Sequence, residues 1–196
     1  MNSGARTYRM TARAQAVEQT RQAVLEAAIA LHAERLSSDI SLADVAERAG
    51  VSVQTVLRHF GSREGLIEAA LEQASAAVED ERRVAPGDLS GGVRAVVEHY
   101  ELRGDGVLLL LAQESSEPFA ARVTAHGRMV HRRWVTHTFG PLLPTGRGRE
   151  EVVDLLVVAT DVYTWKLLRR DRGLSAARTR SRMEQLVRAV LAAPHG

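Results

Sequence analysis

Between Ser52 and Arg63 the chain reads Ser-Val-Gln-Thr-Val-Leu-Arg-His-Phe-Gly-Ser-Arg, and no Asp or Glu lies between Arg48 and Glu64. The side chains that stand out are Gln54, Thr55, Arg58 and His59. A glutamine amide can pair with the donor and acceptor of an adenine edge. An arginine can fork onto guanine or bond a phosphate, and a threonine can meet a phosphate or a thymine methyl. Without acids nearby, nothing in the segment repels a phosphate backbone. The chemistry on offer is non-covalent reading of duplex DNA. It requires these groups on the outer face of a short helix whose first amides remain free. Ser52 is placed as that helix's N-cap, with Val53 completing the exposed start.

A reading helix needs a second helix to hold it. Leu42 to Ala49 supplies one, with Ser41 as N-cap and Asp44 three residues on, a variant of the capping box. Two short helices crossing steeply want a small residue at the crossing, met by Ala46, and a tight turn with positive φ, met by Gly50. Val45, Val51, Val56 and Phe60 are spaced to lock the pair together. An ordinary helical hairpin is the plainer alternative, but it would not need the cap, turn, small residue and acid-free face together.

The wider pattern is helical throughout. Val24, Ala27, Ala28 and Leu31 recur at i, i+3, i+4 and i+7, one face of a helix read over 17–36. A further helix follows Ser62 to about Arg83. Pro86–Gly87–Asp88 is the strongest break and the expected domain boundary. Beyond it, helices are expected at 89–103, 105–115, 118–139, 148–170 and 175–192, punctuated by Gly104, Pro118, Gly140–Pro141 and Gly173. The expected organisation is a basic flexible arm over 1–16, a DNA-binding domain over 17–84 and an effector-binding and dimerisation domain over 88–196. Segment 148–170 is apolar nearly all round, and 175–192 carries the stripe Met183, Leu186, Val187, Val190 and Leu191. Such surface in a chain of 196 residues points to a homodimer through these two segments, against the alternative that both close the core of one chain.

Composition narrows the classes. There is no cysteine, which excludes disulfides, thiolate metal sites and a cysteine nucleophile. Aromatics are 4%, so the core rests on Leu, Val and Ala, which favours an all-α fold. The N-terminus shows no signal-peptide pattern and no stretch is long enough to span a bilayer, so a cytoplasmic location is expected. The net charge is only +2, but cations cluster: Arg6, Arg9 and Arg13 near the N-terminus can add phosphate contacts or form a plain tail. His126, His131 and His137 are not at i, i+4 spacing, so no metal or cofactor is expected. Asp154 and Asp161 share a helix face, most simply as solvent or salt-bridge groups. Tyr100, His131, Trp134 and Trp165 can line an apolar effector cavity or form plain core.

Ser41-Leu42-Ala43-Asp44-Val45-Ala46, Gly50 to Phe60 and Ser62-Arg63-Glu64-Gly65-Leu66 closely resemble the DNA-binding domain of TetR-type regulators over residues 20–75. The His59–Phe60 pair and the Ser-Arg-Glu-x-Leu opening of the next helix carry the likeness. The resemblance implies an all-α homodimer, a ligand-released repressor acting on a palindromic operator, with phosphate contact near Arg63 and an unidentified small-molecule effector. The candidate DNA-contacting residues are therefore Ser41, Ser52, Val53, Gln54, Thr55, Arg58, His59 and Arg63. Where the family usually carries a backbone-touching tyrosine this chain has Leu57, so that contact is not carried over. A helical enzyme is disfavoured because no acid–base pair or nucleophile constellation is present. An all-α ligand-binding dimer without DNA affinity is the other alternative, separated by a gel-shift salt series.

Overall fold

A chain whose apolar residues are mostly Leu, Val and Ala, and whose glycines and prolines cluster at breaks, gains more from helices than from sheets. In the computed structural model, which describes residues 3–146 and 148–193, the described residues form nine α-helices and no strand. They are α1 (Ser3–Glu34), α2 (Leu42–Arg48), α3 (Val53–Phe60), α4 (Arg63–Glu81), α5 (Leu89–Gln113), α6 (Pro118–Phe139), α7 (Arg149–Ala159), α8 (Val162–Lys166) and α9 (Ala176–Ala192).

The chain divides into two compact units, Met1–Ala74 and Ser75–Gly196. In the first, Val24, Leu25, Ala27, Ala28 and Leu31 of α1 bury against Val45 and Ala46 of α2, Val56 of α3 and Leu66 of α4. Fully burying such an aliphatic side chain contributes roughly 1.5–3 kcal/mol. In the second, α5 packs on α6, α8 and α9, and α7 packs on α6 and α9. The α5 residues Val93, Val96, Val97 and Tyr100 form one buried stripe, joined by Val135, Phe139, Val152, Leu156, Trp165, Met183 and Val187.

Four expectations differ from the structure. Of the segment expected as a flexible arm over 1–16, the described residues from Ser3 onward are helical and extend α1, because the segment lacks proline and is rich in good helix formers. Arg13 is exposed on that helix, while the side chains of Arg6 and Arg9 lie outside the described set. Gly104 does not separate two helices but sits buried inside α5. A Cβ there would stand 2.5 Å from Trp165 Cζ3, so the glycine allows a close approach rather than a break. The segment 148–170 is not one helix. It stops at Thr160, restarts after the N-cap Asp161, whose side chain accepts from Tyr163 N at 2.8 Å, and ends in a π-helical turn over Leu167–Asp171. The units divide inside α4, earlier than Pro86–Gly87–Asp88. The last turns of α4 and the residue after it bond into the second unit, Ser75 to His126, Glu79 to Arg133 and Arg82 to His131.

Candidate functional site

In the first unit, α2 and α3 form the expected helix-turn-helix. The Ser41 hydroxyl accepts from Asp44 N at 3.2 Å, and the Asp44 carboxylate accepts from Ser41 N at 2.8 Å. The Ser41 hydroxyl, then its backbone N–H and then Arg35 hold the Asp44 carboxyl down at about 2. The turn runs through Gly50 at φ 68, a conformation that side chains with a Cβ resist. Its closing bond is Val51 N to Ala46 O, 2.9 Å, so the small residue lies at the crossing as its type required.

Helix α3 starts at Ser52, whose hydroxyl accepts from Thr55 N at 3.2 Å. Val56 is fully buried and pins the helix to the core. The opposite face presents Val53, Gln54, Leu57 and Arg58 to solvent, with Thr55 and His59 half-buried. Phe60 receives the Arg21 guanidinium over its ring at 5.1 Å, which fixes the end of α3 against α1. Arg63 opens α4, stays exposed and donates to Ile40 O at 3.3 Å. Arg35, just after α1, pairs with Asp44, and Arg48 of α2 pairs with Glu34. Arg58 and Arg63 have no carboxylate partner among the described residues, so their charge remains available to an external anion.

The residues expected to line an effector cavity are only partly brought together. Tyr100, His131 and Trp134 gather around Arg82, which sequence reading missed. The Arg82 guanidinium lies over the Tyr100 ring at 5.1 Å and the Trp134 ring at 5.7 Å. Its Nη1 donates to His131 Nδ1 at 3.1 Å. A guanidinium only donates, so His131 Nδ1 must accept and the proton must sit on Nε2. That nitrogen faces Thr160 Oγ1 at 3.2 Å. Burial, followed by the Arg82 charge, drives His131 down to about 3. Tyr100 donates to Thr160 O at 3.1 Å, and burial pushes its phenol up to about 12.

Trp165 stands apart from this group as core. It contacts Tyr100 at 5.9 Å between ring centroids, donates to Glu101 at 2.8 Å and is fully buried. A signal for Arg82 was present: Leu71, Ser75, Val78 and Arg82 follow at spacings of four, three and four, which sets a cation just past the end of α4 in register with one of its faces. The three histidines are dispersed, His126 on Ser75, His131 on Arg82 and His137 in solvent. Asp154 pairs with Arg132.

Residues 24–70 match the model of bacterial regulatory proteins, tetR family. Among curated proteins none matches the chain in sequence. Among the solved structures that share its fold are three regulators. A tetR-family transcriptional regulator from Streptomyces coelicolor superposes with a TM-score of 0.66 at 20% identity, over 87% of this chain and 81% of that one. A transcriptional regulator from Rhodococcus sp. Rha1 gives 0.65 at 16% identity, over 87% and 95%. A TetR transcriptional regulator from Rhodococcus sp. RHA1 gives 0.52 at 22% identity, over 89% and 97%. At these identities the likeness is one of fold.

Proposed function

We propose that this chain, which carries the N-terminal segment of the tetR family over residues 24–70 on a TetR-type fold, is a ligand-released transcriptional repressor. The observation that supports this best is the outer face of α3. Gln54 and Arg58 point to solvent beside a capped helix start, and neither Arg58 nor Arg63 is paired with an acid among the described residues. Ser52, Val53, Gln54, Thr55, Arg58 and His59 are assigned to the major groove and its phosphates, and Arg63, with Ser41, to the adjacent backbone.

A homodimer through α7, α8 and α9 supplies two reading helices and calls for a palindromic operator. In its support, Leu155 and Val158 of α7, Tyr163 of α8, Leu167 of the π-helical turn and Leu186 of α9 are large apolar residues left exposed. A ligand that binds better to a conformation with unsuitable reading-helix spacing shifts the population and releases DNA. The Tyr100, His131 and Trp134 cluster is the assigned effector site.

The test is operator retardation by Thr55→Ala/Arg58→Ala. Selection from a random DNA pool with the wild-type protein should yield a palindrome. The double variant should lose retardation of that sequence while sedimenting as the same oligomer. Retained sequence-selective binding by the double variant refutes the assignment of α3.

A further inference from the structure

Arg82 presents an electrostatic problem within the second unit. Its guanidinium is always charged, its residue is only 6% exposed, and none of the ion pairs among the described residues includes it. The groups in direct contact with it are neutral: His131 accepts through a bare nitrogen, and Tyr100 and Trp134 offer ring faces, while the Asp161 carboxylate feels the Arg82 charge without forming an ion pair with it. Glu81, its sequence neighbour, turns instead to Arg103, at 2.9 Å from Nε, and to His99 Nδ1 at 2.7 Å. Asp161 is committed to the Tyr163 amide. The Arg82 Nε–H is buried and meets no acceptor.

The same unit shows how arginine Nε edges are normally satisfied. Arg103 forks onto Glu81 through Nε and Nη2. Arg170 forks onto Asp105 through Nε and Nη2 at 3.0 and 2.9 Å. Arg169 Nε meets both oxygens of Glu101 at 3.0 Å. In each case the Nε edge takes a carboxylate, and Arg82 alone among these is buried without one.

We propose that Arg82, with Tyr100, His131 and Trp134, forms the binding site for a small carboxylate with a planar or apolar body, whose carboxylate bonds the Nε edge of Arg82. This rests on the reading of the second unit as effector-binding and names the ligand's chemical class. The stacked His131 and Trp134 rings, 5.7 Å apart and inclined by 19°, and the edge-on Phe139 ring bring apolar ring surface beside Arg82, which the ligand's body would meet. A phosphate dianion fits poorly, because Arg103 is already committed and a single guanidinium would face two charges. The site also adjoins the break between α7 and α8, since Tyr100 and His131 both bond Thr160. Arg82 directly follows α4, the helix that Arg63 opens, so an anion drawn onto Arg82 acts on the end of the helix whose start is assigned to DNA.

The experiment uses the full-length protein and three probe pairs: benzoate with benzamide, phenylacetate with phenylacetamide, octanoate with octanamide. Binding is read by tryptophan fluorescence and by the ligand-induced rise in Tm. At least one carboxylate is expected to bind at least about tenfold more tightly than its amide, the scale of a hydrogen bond to a charged group. That preference should vanish in Arg82→Met. Arg82→Lys, which keeps the charge but not the fork, should weaken binding of the same carboxylate by roughly tenfold. The wild-type comparison needs no variant, so a misfolded Arg82→Met leaves the test intact. No carboxylate preferred over its amide in the wild type, or a preference that survives in Arg82→Met, overturns the proposal. Operator retardation by unliganded protein is scored separately. Its failure refutes the regulator reading without touching the carboxylate result, and its success does not rescue a failed carboxylate result.

Discussion

Two glycine-to-alanine substitutions in helix interiors should have opposite effects. At Gly104 in α5, the new Cβ would lie 2.5 Å from Trp165 Cζ3, 2.7 Å from Cη2 and 3.1 Å from Cε3. The ring has nowhere to go: it is fully buried, tied to Glu101 through its indole N–H and covered by the Arg170 guanidinium at 4.5 Å. Overpacking of this kind costs about 1–3 kcal/mol, and a rigid ring places it near the upper end. Better helix propensity returns about 1 kcal/mol. The net expectation for Gly104→Ala is a loss of about 2 kcal/mol, or a Tm lower by roughly 4–8 °C for a chain of this size. At Gly127 in α6 a Cβ meets nothing within 4 Å, so only the propensity gain remains and Tm should rise by about 2–4 °C. Both are read by circular-dichroism melts at one protomer concentration, since an oligomer's Tm depends on it. If Gly104→Ala stabilises as much as Gly127→Ala, the close packing of α5 on Trp165 is wrong.

Further expectations concern the charges, the cores and the interface. Burial holds His99 down to about 4 and His131 down to about 3, below the unfolded value of 6.5. In that window the unfolded chain binds more protons, so stability is complete above about pH 6.5 and is lost as pH falls towards 4; urea titrations across pH 4–8 measure it, and a flat profile contradicts the burial. Arg63→Gln should reduce the slope of log K against log salt by about 0.9 if Arg63 meets one phosphate, read in a binding titration on the selected operator. Val56→Ala removes two fully buried methyl groups and should cost about 2 kcal/mol in chemical denaturation. Val158→Glu, at an exposed position of α7, should dissociate the dimer in sedimentation while leaving the monomer's helical signal unchanged.

The helix-turn-helix was legible in the sequence because its requirements are local. Ser41 and Ser52 cap within three residues of themselves, Gly50 sets a backbone angle that few other residues tolerate, and Val56 and Phe60 fall on one face at i, i+4. Helix α6 and the start of α9 were equally readable from Pro118 and Gly173. Gly104 and Thr160 were not. A glycine reads as a break unless the ring that lies against it is known, and Trp165 is distant in sequence. The interruption at Thr160 sits in an unbroken apolar pattern, so period could not reveal it.

By itself, then, the sequence determined the all-α class and the capped α3 with its acid-free face, because capping, turn conformation and periodicity are short-range. Tertiary structure alone decided which charges are neutralised. It matched Arg35 and Arg48 to acids and left Arg58 and Arg63 without one. It also carried Arg82 inward between Tyr100 and Trp134, without an ion pair among the described residues. Charge compensation depends on distances between segments remote in sequence, and only folding sets those distances.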